Sequence, residues 1–210
     1  YGLILLTACY FSRRKLTTGF EKRFMPKILL AACGFQLLVI VAGVLLINFM
    51  PGSLGNKKEK NKFGEGDFTL DMYGWATCKN DFDILAKADL QTGVMKKDAA
   101  IISNKWFPAA HIDYYVAMPI QKALIAMGDT NEIHQYAWIN HERRKLKPGD
   151  DAYCIVPSNN YIDAAELYSG IFTTIMPPQI IEQKRNGKTC KYFYVWRMKG
   201  YILKPNPRLQ

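Results

Sequence analysis

The run at residues 28–50, ILLAACGFQLLVIVAGVLLINFM, limits the fold of this chain more than any other feature. Its 23 residues carry no charge, and Gln36 and Asn48 are its only strongly polar members. At about 1.5 Å per residue a helix over this run reaches roughly 34 Å, enough to cross a hydrocarbon core of about 30 Å with some tilt. A buried helix of a soluble domain is the alternative, but the length of the run and the basic residues before it favour a membrane span. Gln36 and Asn48 could line a path through the bilayer. Amides in such helices more often bond neighbouring helices or sit at the interface.

Residues 1–11 are also apolar but too short to span, and they stop at Ser12-Arg13-Arg14-Lys15. They read as the last half of another transmembrane helix, which makes this chain an expected part of a longer protein. A cleaved signal fits badly because the apolar stretch precedes the basic cluster. A signal anchor built from 13–27 and 28–50 is the competing reading. Residues 12–27 hold six Lys and Arg, against four (Lys57, Lys58, Lys60 and Lys62) beyond the span. The positive-inside rule therefore predicts a cytoplasmic loop at 12–27 and an extracytoplasmic segment from residue 51 onward.

The part beyond the span is long enough for one domain with its own core. The net charge of +10 divides evenly, with six basic and one acidic residue in 1–50 against 22 and 17 in the rest. A basic domain beside a membrane suits anionic head groups or phosphorylated lipid. Nucleic acid is not expected, since no recognition motif accompanies the charge and the placement is extracytoplasmic. Cys9 and Cys33 lie in apolar segments, while Cys78, Cys154 and Cys190 show no spacing that selects a disulfide. His111, His134 and His141 have no metal-ligand spacing.

Residues 51–66 read as a polar, Lys-rich linker after the breakers Pro51 and Gly52. Residues 67–203 then alternate helical and short apolar patterns. Trp75, Cys78, Phe82 and Leu85 recur at helical spacing within 73–91. The runs 99–103, 123–127 and 152–156 read as buried strands. Residues 106–118, 134–146 and 161–171 read as helices, the second one polar, and Asn186-Gly187 marks a hairpin between 180–185 and 189–199. The sum is a small three-layer α/β domain with a mostly parallel sheet and a C-terminal β-hairpin.

The usual catalytic signatures are missing: no phosphate loop, no dinucleotide fingerprint, no nucleophile elbow. Gly64-Glu65-Gly66 falls in the linker. Asp81 and Asp83, two apart on a helix, point to different faces, and Asp150-Asp151 reads as turn chemistry. Ligands of α/β sheets favour the carboxyl ends of strands. Here these carry Asn104, Lys105 and Trp106 after the first strand, and Ser158 and Asn159 after the third. Their amides, hydroxyl, charge and indole suit a sugar or phosphate, and equally suit helix caps and loop packing. Tyr114 and Tyr115 read as core, and 141–145 as a solvated helix face.

Three stretches carry a resemblance. Residues 67–75, DFTLDMYGW, resemble the segment that follows the last membrane helix in bacterial membrane glycosyltransferases, the family similar to dolichyl-phosphate-mannose–protein mannosyltransferases and aminoarabinose transferases. Residues 104–115, NKWFPAAHIDYY, and 149–158, GDDAYCIVPS, are similar to later family elements, in the same order. Phe68 departs from the family's usual proline. The resemblance implies a multi-pass inverting transferase of the GT-C architecture in the bacterial inner membrane. It would move a sugar from a polyprenyl-phosphate donor to a lipid, glycan or protein acceptor outside the cytoplasm. The family's acidic catalytic residue belongs to an earlier loop and matches no position here. Some members use a divalent metal, for which this sequence offers no visible ligand set. A non-catalytic, membrane-anchored binding or sensor domain is the main rival. A tethered hydrolase would need a nucleophile at a strand end, where only Ser158 is placed.

Overall fold

The breakers Pro51 and Gly52 end the apolar run as its sequence requires. The computed structural model describes residues 27–202 together with Cys9, Tyr10 and Ser12. The expectations for 1–11 and 12–27 otherwise lie outside the described residues. Helix α1 (Lys27–Phe49) covers the apolar run. Among the described residues it is the one helix long and apolar enough to cross a membrane by length and composition, and none of its most apolar window is buried. The chain divides into two compact units between Val44 and Leu45.

The second unit is built on a mixed sheet. Its strands are β1 (Ala100–Ser103), β2 (Leu124–Ala126), β3 (Ala152–Pro157), β4 (Phe172–Ile175), β5 (Gln179–Arg185) and β6 (Lys188–Tyr201). The order is β2-β1-β3-β6-β4, with β5 also on β6. Only β1 with β2 and β1 with β3 pair in parallel. Strand β6 runs antiparallel to β3, β4 and β5, so the expected mostly parallel sheet is corrected to a mixed one. At 14 residues β6 is long enough to pair with β5 and β4 in succession along one edge. The Asn186-Gly187 turn joins β5 to β6 with both residues at positive φ, as a tight hairpin needs.

Both faces of the central strands are covered. Alternation sends Ile101, Tyr153, Ile155, Phe193 and Val195 into one cluster. It sends Ala100, Ile102, Cys154, Val156, Tyr194 and Trp196 into the other. The first cluster lies under α2 (Trp75–Gln91), whose Trp75, Cys78, Phe82 and Leu85 all face inward. It also holds Ala109 and Ile112 of α3 (Trp106–Ile112). That helix does not run regularly to residue 118. It widens into a π turn over Asp113–Ala117 and tightens to a 3-10 turn over Met118–Ile120, where Pro119 lacks an N–H to continue the ladder.

Two expected helices are mostly absent. Residues 134–146 contain only the second of two single turns, α4 (Thr130–Ile133) and α5 (Tyr136–Ile139), followed by a 3-10 turn at Asn140–Glu142. His134, at φ 47°, breaks the path between them. The 141–145 stretch is no regular helix, but His141, Glu142, Arg144 and Lys145 are exposed; Arg143 is half-buried and pairs with Asp113, and Arg144 pairs with Asp98 and Asp150. In 161–171 only α6 (Ala164–Leu167), capped by Asp163, is helical, although Tyr168 and Ile171 still reach the core.

Residues 51–66 are no linker. They fold back as an ordered loop in which the Asn56 amide donates to the Glu65 carbonyl at 2.9 Å and the Gly64 amide donates to the Asn56 carbonyl at 2.7 Å. Ser53, at 1% exposure, is as buried as the core. The polar composition hides this because the loop's polar groups are satisfied internally.

Candidate functional site

Strand order places the site. The chain leaves β1 toward β2 on one side and crosses back to β3 on the other, so the carboxyl ends of β1 and β3 form the switch point at which open sheets leave a crevice. A cleft of about 280 Å³ lies there, lined by Lys105, Trp106 and Phe107 after β1, Asn131, Glu132 and His134 after β2, and Asn160 after β3.

Each wall is held by local chemistry. The Met127 amide donates to the Ser103 carbonyl at 2.7 Å, drawing the β1 and β2 exits together. A Cβ on Gly128 would sit 2.1 Å from the Asn104 carbonyl oxygen, so only glycine allows this approach. Asp129 caps α4 by accepting from the Asn131 amide at 2.8 Å. The strained backbone at His134 then turns its ring toward the cleft, edge-on to Trp106 with centroids 5.6 Å apart. Phe107 supports the indole from another side at 5.5 Å, and Lys105 pairs with Glu132 at 3.2 Å. Trp106 remains 43% exposed, an indole presented to solvent among hydrogen-bonding groups.

Of the residues singled out from sequence, Lys105 and Trp106 line this cleft, while Asn104 contributes its backbone carbonyl to the Gly128 contact. Ser158 and Asn159 do not reach it. Ser158 is 1% exposed; its hydroxyl donates to the Phe63 carbonyl and accepts from the Tyr192 amide. It fixes the 51–66 loop to the sheet, with its hydroxyl engaged on both sides. Asn159 donates to Asp71 at 3.1 Å, while its buried amide oxygen has no partner. Asn160, the next residue of the strand end that carries Ser158 and Asn159, does line the cleft, whereas sequence reasoning missed Asn131, Glu132 and His134. Gly128-Asp129, a turn signal straight after an apolar strand, marks the loop that carries all three.

The 67–75 stretch forms a second centre, buried rather than open. The Asp67 carboxylate accepts from Ser53 Oγ at 3.1 Å, the Leu54 amide at 2.8 Å and the Thr69 amide at 2.9 Å. Burial pushes this carboxyl up, but the bonds from Thr69, Leu54 and Ser53 outweigh it and hold it below its ordinary value. Arg185, wholly buried at the hairpin tip, donates to the carbonyls of Gly52 (2.7 Å) and Ile47 (3.1 Å) and to Thr69 Oγ1 (2.8 Å). Asn186 donates to the Phe49 carbonyl at 2.7 Å. Two carbonyls of the last turn of α1, which have no intrahelical donor, are thus capped by the hairpin.

The rest of the stretch surrounds Lys191. Its ammonium donates to the Leu70 carbonyl at 2.9 Å and lies 4.4 Å from the Trp75 ring centroid. Burial pushes this lysine down to about 7, against the pull of Asp71. Trp75 bonds the Asp71 carbonyl at 2.7 Å and stacks on His111 at 5.0 Å. Gly74, at φ 83°, makes the turn that opens α2.

The two centres share one end of the sheet. Pro157, at the β3 exit, pairs with Phe193, six residues along β6 from Gly187 at the hairpin tip. At about 3.4 Å per residue the cleft level lies roughly 20 Å along the sheet from the tip that caps α1. Among the described residues no group of three or more His, Cys, Asp or Glu side chains is placed to hold a metal ion. No protein-family model, curated protein or solved structure matches this chain.

Proposed function

We propose that this chain is the C-terminal, membrane-anchored cap of a polyprenyl-phosphate-dependent sugar transferase of the GT-C type, and that its strand-end cleft grips a sugar of the acceptor. The observation that carries the reading is the half-exposed Trp106 ring, framed by Lys105, Glu132, Asn131, His134 and Asn160. A pyranose presents C–H groups on its faces and hydroxyls at its rim. An indole supports the first, and amides, ammonium, carboxylate and imidazole serve the second. The volume, about 280 Å³, lies at the small end of ligand pockets and suits a single ring.

Two further observations support the transferase frame. The 67–75 stretch that resembles the family holds, through Asp67 and Thr69, the Arg185 that caps the exit of the apolar helix. The cleft opens at the same end of the sheet, where a lipid-linked sugar and its acceptor would meet. Helix α1, unburied along its most apolar window, serves as the membrane span in this reading.

The cleft has no nucleophile–base pair, so the chemistry belongs to membrane loops outside it, and this chain alone is expected to give no turnover. The full-length protein in proteoliposomes should move labelled sugar from polyprenyl phosphate to an extracytoplasmic acceptor. Glycan binding without any transfer would instead favour the anchored binding or sensor domain.

A further inference from the structure

We propose that the rim around the exit of α1 is a docking collar for an anionic bilayer surface, made by Leu54, Phe68, Met72, Lys184 and Lys188. Large apolar side chains are left open here: Phe68 is 73% exposed, Met72 58% and Leu54 52%. Their neighbours are fully enclosed. Thr69 and Leu70 of the same 3-10 turn are buried, which leaves Phe68 and Met72 on its outer side. Leu54 follows buried Ser53, and its amide is held by Asp67.

The backbone under these side chains is rigid and tied to the helix exit. Asp67 precedes Phe68 and binds the Arg185 that reaches the Ile47 carbonyl. Tyr73 follows Met72, and its hydroxyl donates to the Lys184 carbonyl at 3.1 Å. Lys188 lies beside Gly52, where an added Cβ would come within 3.3 Å of the lysine's own. All five residues therefore surround the point at which an apolar span gives way to the folded domain.

That position names the occupant. A span that ends at Phe49 brings the head-group layer to residues 50–54 and to whatever is bonded to them. Apolar side chains at this depth gain by entering the interface, and flanking lysines gain from anionic head groups. The 60%-exposed Lys184 side chain has only a loose contact, 3.8 Å, with Glu182, and its long stem can reach outward.

The proposal rests on the insertion of α1, and the test separates the two. The full chain, with Cys9 and Cys33 changed to Ala, is placed in nanodiscs containing phosphatidylglycerol and spin-labelled lipid. An environment-sensitive fluorophore is attached at Phe68→Cys, Met72→Cys, Leu38→Cys or Lys147→Cys in turn. Leu38 reports the span, and Lys147 the opposite end of the sheet. Quenching at 68 and 72 is expected at least threefold above that at 147. It should fall about twofold when Lys184→Glu and Lys188→Glu are introduced, or when phosphatidylcholine replaces the anionic lipid. Strong quenching at 38 with none at 68 and 72 overturns the collar alone. No quenching at 38 overturns the membrane reading itself. Quenching at 68 and 72 that ignores both charge changes overturns the anionic preference.

Discussion

Arg185 and Asp67, both wholly buried, meet at 3.5 Å between the hairpin tip and the loop that follows α1. The pair is worth little as a pair, because desolvating two charges offsets most of their attraction. Its importance lies in what breaking it leaves behind. Arg185→Met strands a buried carboxylate and uncaps the Ile47 and Gly52 carbonyls, so a loss of about 3–5 kcal/mol is expected in denaturant unfolding. Adding Asp67→Leu should deepen the loss, since the Ser53 hydroxyl and the Leu54 and Thr69 amides then lose their acceptor as well.

Ser158 and Trp106 are both strand-end candidates, and the structure gives them opposite surroundings, one buried and one open to solvent. Ser158→Ala removes a buried hydroxyl that serves the Phe63 carbonyl and the Tyr192 amide. It should cost about 1–3 kcal/mol of stability while glycan binding, measured by calorimetry on the folded variant, stays unchanged.

Gly128 tests how the cleft is held. An added Cβ meets backbone, not a flexible side chain, at 2.1 Å from the Asn104 oxygen. Gly128→Ala should destabilise by about 1–3 kcal/mol and lower glycan affinity, because the β1 and β2 exits must part.

Lys191 makes stability depend on pH. Burial holds its folded value at about 7, against an ordinary 10.5. Between these limits the unfolded chain binds a proton that the folded chain does not, so the folded state gains as pH rises. Comparison with Lys191→Met removes the contribution of buried thiols and phenols. The wild type should gain stability relative to that variant from pH 7 to pH 9, read from urea midpoints. A flat difference would mean the amine is not enclosed.

Much of the scaffold was legible because apolar runs and 3.6-residue spacing report burial directly. The strands at 100–103, 124–126 and 152–157 and the inward face of α2 follow from that signal, as does the Asn186-Gly187 turn. Pairing direction was not legible: an apolar run says that both faces are covered, not which way its neighbour runs. Strand β6 therefore entered beside β3 unannounced. Polarity misled where partners lie far away in sequence. Ser53, Arg185 and Lys191 are buried because contacts 14 to 138 positions away satisfy them. The cleft was half legible. The strand-end rule found Lys105 and Trp106, but Glu132 lies in a stretch without a sequence pattern of its own, and His134 at a backbone break that reads from sequence as the start of a regular helix.

Trp106 carries the central claim. Transfer kinetics of the full-length protein in proteoliposomes, with Trp106→Ala against wild type, test it most directly. Loss of about 1 kcal/mol of ring stacking should raise KM for the acceptor roughly fivefold. KM for the polyprenyl-phosphate donor and kcat should not move, and Trp106→Phe should restore part of the acceptor affinity. An unchanged acceptor KM, or a collapse of kcat alone, would contradict the account.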